Sequence, residues 1–377
     1  MSSLYLHIPF CSSKCQYCDF YSGVGSAAEI AEYVELLQQN ITLLKKELPQ
    51  QSPLTTIFFG GGTPSLLSPQ QLNALLATLR QTFGVAATAE ISIEANPGTL
   101  DLARLQGYRQ AGVNRLSLGI QSFDDRQLAF LGRIHSGTEA RQAFAAARQA
   151  GFDNISVDLM FALPGQGLPD LERDLSALLE LHSEHISLYG LTIEEETPLA
   201  ARLAAGEFTP CDEDTYSDQY RLIHQRLTAA GFEHYEISNF ARPGRRCAHN
   251  LAYWKRRSCL AVGCGGHSFY ETGWGERWLI PSDLASYRSQ LATGHNPARL
   301  LEDFDRQTAM KEYAYLALRT ADGLARDDFA QRFSCLPEEV FSAALNSCQP
   351  YLLNQDGAWR FDLAGWLIYD HLISHFL

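Results

Sequence analysis

Apolar and polar positions alternate between two periods along the first half of the chain. Short apolar runs at Leu4–His7, Thr56–Phe59, Glu90–Glu94, Arg115–Leu118, Asn154–Leu159 and His185–Tyr189 have strand length. Between the first two, Ile30, Val34, Leu37, Ile41, Leu44 and Leu48 recur at steps of four and three, one apolar stripe on a long helix. Ser68-Pro69 opens a second helix running to Thr82, with proline in its first turn. Alanine-rich Thr138–Ala150 predicts a third, stopped at Gly151. Strands separated by helices imply βαβ units and a parallel sheet. Six units in about 200 residues are too few for a closed eight-strand barrel, so the pattern predicts a six-unit partial β/α barrel. A doubly wound open sheet has the same periodicity and is the structural alternative.

Beyond Glu194 the pattern weakens. Thr215–Gly231 predicts a helix and Tyr235–Phe240 a short strand, whereas Arg242–Trp278, rich in glycine, aromatics and cysteine, predicts irregular structure. Ala309–Leu318 and Leu336–Leu345 predict helices, and Trp359–Asp362 a strand after the Gln355-Asp-Gly turn. The expected division is a partial barrel over 1–235, an irregular bridge over 236–300, and a small, mainly helical domain with a wing-like hairpin over 301–377.

Charge narrows the choice of partner. The formal net charge of −13 argues against phosphate-backbone binding and against docking to an anionic membrane. No apolar stretch is long enough to span a bilayer, and the start Met1-Ser-Ser-Leu-Tyr-Leu-His lacks the basic and apolar regions of a signal peptide. Nine irregularly spaced cysteines fit a reducing compartment better than a disulfide framework. The expectation is a cytoplasmic protein that is not an integral membrane protein and binds no nucleic acid.

Cys11, Cys15 and Cys18 follow the first strand in C-x3-C-x2-C spacing. Three thiolates on one loop suit a 4Fe–4S cube, since each ligand reaches a different corner. The fourth iron stays open to a ligand with an amine and a carboxylate, and S-adenosylmethionine is such a ligand. An electron passed to its sulfonium would release a 5′-deoxyadenosyl radical, so the cofactor carries that chemistry. A zinc site is the simpler alternative, but it needs a fourth ligand, and His7 is better placed to pack beneath the loop. A redox disulfide is disfavoured because the C-x-x-C has no thioredoxin-like surroundings.

Strand ends supply further candidates, because function in α/β folds gathers at the carboxyl ends of parallel strands. The second strand ends in Gly60-Gly61-Gly62-Thr63-Pro64, whose bare backbone can approach a ligand closely. Glu94 closes the third, Gln121 the fourth and Asp158 the fifth, with Arg133 following Gln121 in Leu131-Gly-Arg133. A carboxylate in an apolar run is costly to bury alone, so Asp158 needs a partner, and Arg133 is the candidate.

The cysteine spacing, with Tyr17 before the third cysteine, resembles the radical-SAM signature. From Tyr5 to at least Ser268 the chain is similar to the HemN/HemW branch of that superfamily, and its C-terminal region resembles their shared small domain. The resemblance implies one cluster and up to two S-adenosylmethionine molecules. Tyr5, Gly61 and Glu94 would line the first; Tyr17, Gly62, Thr63, Gln121, Arg133 and Asp158 would line the second. It implies either an oxygen-independent coproporphyrinogen III dehydrogenase, which decarboxylates propionates by a radical route, or a haem chaperone. Phe20 stands where the dehydrogenase motif has a further cysteine, and the chain begins at strand one rather than with an extension. His249-Asn250-Leu-Ala-Tyr253-Trp254 matches the HNxxYW motif of haem-binding members.

A neutral imidazole is a common haem-iron ligand, and Tyr253 and Trp254 offer flat apolar surface. An isolated histidine beside aromatics is otherwise a structural residue. Cys247 offers a nearby thiolate, while Cys211, Cys259, Cys264, Cys335 and Cys348 read as buried thiols. His267 lies in the glycine-rich loop Gly263-Cys-Gly-Gly-His267, which suits either a close approach to a cofactor or a plain turn. The expectation is therefore a haem carrier rather than a coproporphyrinogen-converting enzyme, with S-adenosylmethionine cleavage left open. Its partner would be a respiratory or haem-storing acceptor protein; whether the chain forms a homodimer is not fixed by the sequence.

Overall fold

Each expected strand of the first half forms and carries its chain direction into one sheet. The fold, a computed structural model, describes residues 2–48 and 52–377. Six strands, β1 (Ser3–Ile8), β2 (Leu54–Gly61), β3 (Val85–Ala95), β4 (Arg115–Gln121), β5 (Ile155–Phe161) and β6 (His185–Gly190), lie side by side in chain order. Every neighbouring pair among them is parallel. Sequential order without reversal is barrel winding; a doubly wound sheet would reverse at a switch point. This decides between the two topologies that periodicity left open.

Helices cover the outer face. α1 (Ala27–Glu47) starts in a capping box between Ser26 and Glu29 and buries Ile30, Val34, Leu37, Ile41 and Leu44, the stripe read from the sequence. α2 (Pro69–Thr82) has the same box between Ser68 and Gln71. α3 (Leu102–Ala111), α4 (Asp125–Leu131), α5 (Gly137–Gln149) and α6 (Leu168–Glu180) complete the crossovers. Leu4, Leu6 and Ile8 of β1 are fully buried on the helix side, while Tyr5 and His7 alternate to the concave face.

The sheet does not close. After α7 (Pro198–Ala204) and α8 (Glu213–Ala229), β7 (Glu233–Glu236) and β8 (Asn239–Ala241) form a hairpin against β6, where one strand was expected over Tyr235–Phe240. At the other edge β9 (Cys259–Val262) pairs parallel with β1, and β10 (His267–Tyr270), β11 (Glu276–Leu279) and β12 (Arg299–Asp303) continue antiparallel. The twelve-stranded sheet is a six-unit partial barrel with extensions on both sides. The stretch Arg242–Trp278 is thus ordered, contributing α9 (Ala248–Trp254) and three strands. Its alternation was hidden because these strands are only four residues long and separated by glycine turns. No break in the sheet coincides with the expected boundary at 300/301, which β12 crosses.

The C-terminal part packs α11 (Arg306–Leu318), α12 (Arg326–Phe333) and α13 (Pro337–Ser347), after α10 (Leu284–Ala292), on a three-stranded sheet of β13 (Leu324–Ala325), β14 (Leu352–Gln355) and β15 (Ala358–Phe361). β14 and β15 are the expected wing-like hairpin. Among the described residues no helix is long and apolar enough to cross a membrane.

Candidate cofactor site and the chamber beneath it

The carboxyl ends of the parallel strands face a cavity of about 610 Å3, and the cysteine loop forms one lip of it. Phe10 anchors that loop, buried edge-on against Tyr33 at 5.3 Å between ring centroids. Tyr33 donates its hydroxyl to the carbonyl of His7 (3.0 Å), and His7 Nε2 meets the carbonyl of Tyr21 (2.9 Å). The far side is tied down by the Gln16 amide, which donates to the Leu131 carbonyl (3.0 Å).

The loop brings Cys11, Cys15 and Cys18 to the cavity wall with all three thiols free. Both His7 nitrogens are engaged, Nδ1 with the Tyr5 hydroxyl at 3.3 Å, and burial pulls the imidazole pKa down. His7 therefore packs under the loop, as expected. Among the described residues no three His, Cys, Asp or Glu side chains converge closely enough to hold a single metal ion. Three separated thiols on one lip of a wide cavity fit a multi-iron cluster, in which each thiolate takes its own corner.

The glycine run is placed by necessity rather than by flexibility alone. Gly61, at φ +114°, donates its amide to Glu94 Oε2 (3.2 Å). A Cβ on Gly62 would stand 2.7 Å from the Phe10 carbonyl oxygen and 3.0 Å from Cys11 Sγ, so only glycine lets this strand end lie against the cluster loop. Burial first, then the nearby Asp158, raises the Glu94 pKa to about 8.

Tyr17, Gly61, Gly62, Thr63, Glu94, Gln121, Arg133 and Asp158 all line this cavity. One expectation is corrected. Arg133 does not pair with Asp158: its Nη1 donates to Cys15 Sγ (3.3 Å) and its Nη2 to the Gly119 carbonyl (2.6 Å). Asp158 is bonded instead by the hydroxyls of Ser117 (3.0 Å) and Ser156 (3.2 Å), and the charge of fully buried Arg115 acts on it. Tyr5 lies one layer lower, against Phe58 and His249. Tyr189 and Glu194 also line the cavity but were missed, although the strand-end rule applied to β6 would have found them.

Below the cavity is a smaller chamber of about 220 Å3, which shares Glu94, Ser117, Asp158 and Tyr189 with it. Its floor is α9. The Glu90 carboxylate on β3 accepts from the Ala248 and His249 amides, both at 3.1 Å, as an anion at a helix start. His249, Asn250 and Tyr253 line the chamber, whereas Trp254 turns to the Arg319 guanidinium, 4.7 Å from its ring centroid. His249 is fully buried, with Nδ1 2.8 Å from Thr56 Oγ1, Nε2 3.2 Å from the Tyr253 hydroxyl, and its ring stacked on Phe58. Burial, then Arg115, lowers its pKa to about 3, so it is neutral at pH 7. To ligate haem iron it would have to give up one of these bonds. Cys247 is likewise buried, its thiol pushed up to about 12. Cys259, Cys264 and Cys348 are buried as expected, but Cys211 and Cys335 are partly exposed.

The model of the radical SAM superfamily matches residues 5–178, which contain the cysteine loop, most of β1, and β2 to β5. "Heme chaperone HemW" of Escherichia coli is 36% identical over 383 residues, covering all of this chain and 98% of the relative. "Heme chaperone HemW" of Bacillus subtilis is 34% identical over 348 residues, 92% of this chain and 90% of that one. Among solved structures, coproporphyrinogen III oxidase (HemN) from E. coli, a radical SAM enzyme, superposes with a TM-score of 0.84. That match covers all of this chain and 89% of the other at 22% identity, and so speaks for the fold. The superfamily brings a 4Fe–4S cluster and S-adenosylmethionine, which the free thiols and glycine-lined cavity accommodate. With those residues gathered at one end of a partial barrel, and with relatives aligned along its whole length, the chain belongs to the HemW family of radical SAM proteins.

Proposed function

We propose that this protein is a haem chaperone, binding haem and handing it to an acceptor protein from a radical-SAM core. One observation carries the proposal: the end-to-end match, at 36% identity, to a relative named for that role. In the core, Cys11, Cys15 and Cys18 would hold the cluster, and the residues at the strand ends would hold S-adenosylmethionine. When bound, the cluster supplies electrons to the sulfonium of that ligand.

The chain's own residues do the positioning. Gly61 and Gly62 would let the backbone approach the ligand without side chains in the way, and Glu94 and Asp158 would offer it carboxyl groups. Arg133 sets a positive charge beside Cys15. Tyr17, Thr63 and Gln121 complete the wall, and Tyr5 acts from below by buttressing His7. Phe20, 65% exposed beside the third cysteine, supplies no thiol at the position where the dehydrogenase motif has one.

The test is a titration of anaerobically reconstituted protein with haem, followed at the Soret band. Saturable binding near one haem per chain is expected. Absence of saturable binding overturns the carrier reading, and conversion of coproporphyrinogen becomes the next assay. The acceptor, respiratory or haem-storing, follows from transfer assays with the loaded protein.

A further inference from the structure

The chain leaves β5 through Ala162-Leu163-Pro164-Gly165-Gln166, a turn that follows Asp158 and Met160 of the cavity wall. Ala162 sits at φ +58°, in the left-handed region that a residue with a Cβ rarely holds unless its neighbours impose it. The imposing neighbour is Gln219 on α8. Its side chain is fully buried; Oε1 accepts from the Ala162 amide (2.8 Å) and Nε2 donates to the Gln166 carbonyl (2.7 Å). One carboxamide thus ties both ends of the turn. From within, the Gln166 amide donates to the Leu163 carbonyl (2.9 Å), and on the far side Gln127 of α4 donates to the Pro164 carbonyl (3.4 Å).

What the turn delivers is Leu163. Fully buried, it forms a small apolar cluster with Leu131 of α4 and Met160 of β5, apart from the main core. Tyr17 of the cysteine loop, Phe130 and Leu191 pack on this cluster. Leu131 has a second task, because its carbonyl accepts the Gln16 amide (3.0 Å), while the Leu199 amide of α7 donates to the Gln16 carbonyl (2.9 Å). Gln16 and Tyr17 are the two residues between Cys15 and Cys18. The span between two of the three cysteines therefore rests on a patch of which Leu163 is one of three buried members. Gln219, at the start of this route, lies beyond the residues 5–178 that the superfamily model matches.

We propose that Gln219 is a positioning residue for the cofactor cavity: by holding the turn after β5 left-handed it seats Leu163 against Tyr17 and so fixes the cysteine loop relative to the strand ends. This rests on the reading that those strand ends hold S-adenosylmethionine, and is independent of haem transfer. A carboxamide suits the task because it accepts from one backbone group and donates to another; a carboxylate does only the first, and an aliphatic side chain neither. Without it the Ala162 amide and the Gln166 carbonyl are left unpaired in the interior, and the turn relaxes towards negative φ, which withdraws Leu163 from the patch. Glycine at position 162 accepts positive φ at no steric cost, so it takes over part of the work of the clamp.

The experiment uses full-length, anaerobically reconstituted protein and compares wild type with Gln219→Leu, Gln219→Glu, Ala162→Gly and the double variant Gln219→Leu/Ala162→Gly. Iron content and thermal melts establish that each is folded and loaded. Equilibrium dialysis gives the Kd for S-adenosylmethionine, and EPR of the reduced cluster is recorded with and without that ligand. Gln219→Leu is expected to raise the Kd about tenfold, the low end for a residue that orients a site from behind, and to alter the EPR change that the ligand causes. Gln219→Glu should fall between, Ala162→Gly should match wild type, and the double variant should recover most of the lost affinity. If Gln219→Leu lowers only the melting temperature and keeps the wild-type Kd and EPR response, Gln219 is merely structural and the proposal is overturned. A double variant no better than Gln219→Leu overturns the turn as the link. Should Gln219→Leu fail to fold, Gln219→Glu, which keeps the bond to Ala162, is judged by the same criterion. No binding of S-adenosylmethionine by wild type overturns the cofactor reading, and this proposal with it.

Discussion

Glu94 shows how far a single residue can be read from its place in the chain. Its position at the end of a parallel strand marked it as a site residue, but its protonation state comes from burial and from Asp158 on another strand. With its folded pKa raised from the ordinary carboxylate range to about 8, Glu94 keeps its proton where the unfolded chain has released it. Stability of the cofactor-free protein is therefore expected to fall as pH rises between these values. Asp158, also raised by burial, adds to the fall. Glu94→Gln should flatten this slope, as checked by thermal melts across that range. At Gly62 the expectation is steric. Gly62→Ala sets a methyl group against the Phe10 carbonyl oxygen and Cys11 Sγ, neither of which can move without shifting the loop. The variant should retain less iron and acid-labile sulfide per chain after reconstitution, with its fold otherwise intact.

The seven-residue α9 illustrates what an element needs beyond its own sequence. It is too short to be stable alone, and no side chain at its start caps it. The cap arrives from β3, as the Glu90 carboxylate on two amides. Glu90→Ala is expected to cost about 1–3 kcal/mol in denaturant unfolding, the range for a lost charged hydrogen-bond partner. Tyr253 should loosen with it. The same dependence explains why this segment read as irregular while α1 was legible. α1 carries its own capping box and a 21-residue stripe; α9 and the four-residue strands after it are defined by neighbours distant in sequence.

At the scale of the whole molecule, the sheet extension and the C-terminal part are joined through charge as well as apolar packing. Glu312 on α11 binds Arg256, whose side chain is only 5% exposed, and Arg277 on β11. Removing one partner of a buried pair leaves the other charge stranded, at about 3–5 kcal/mol. Glu312→Leu should therefore lower the unfolding free energy by that order, read from denaturant midpoints. Elsewhere, Arg319 reaches Glu236 of β7 (3.3 Å), and Trp366 packs on His234 (4.8 Å). The C-terminal part thus braces both ends of the strand series.

The sequence by itself determined the cysteine loop, the six βα units, the capped helices and the strand-end residues of the cavity. These are local: spacing, period and caps are written within a few turns of chain. Three matters were decided only by tertiary structure. Sheet order, and hence barrel winding, depends on pairing between strands far apart in sequence. Arg133 goes to Cys15 rather than Asp158 because the cysteine loop meets the end of α4 in space, a contact no spacing encodes. His249 looked available in the motif, yet Thr56 and Tyr253 take both its nitrogens. Whether an imidazole is free depends on what surrounds it, and the surroundings exist only once the chain has folded.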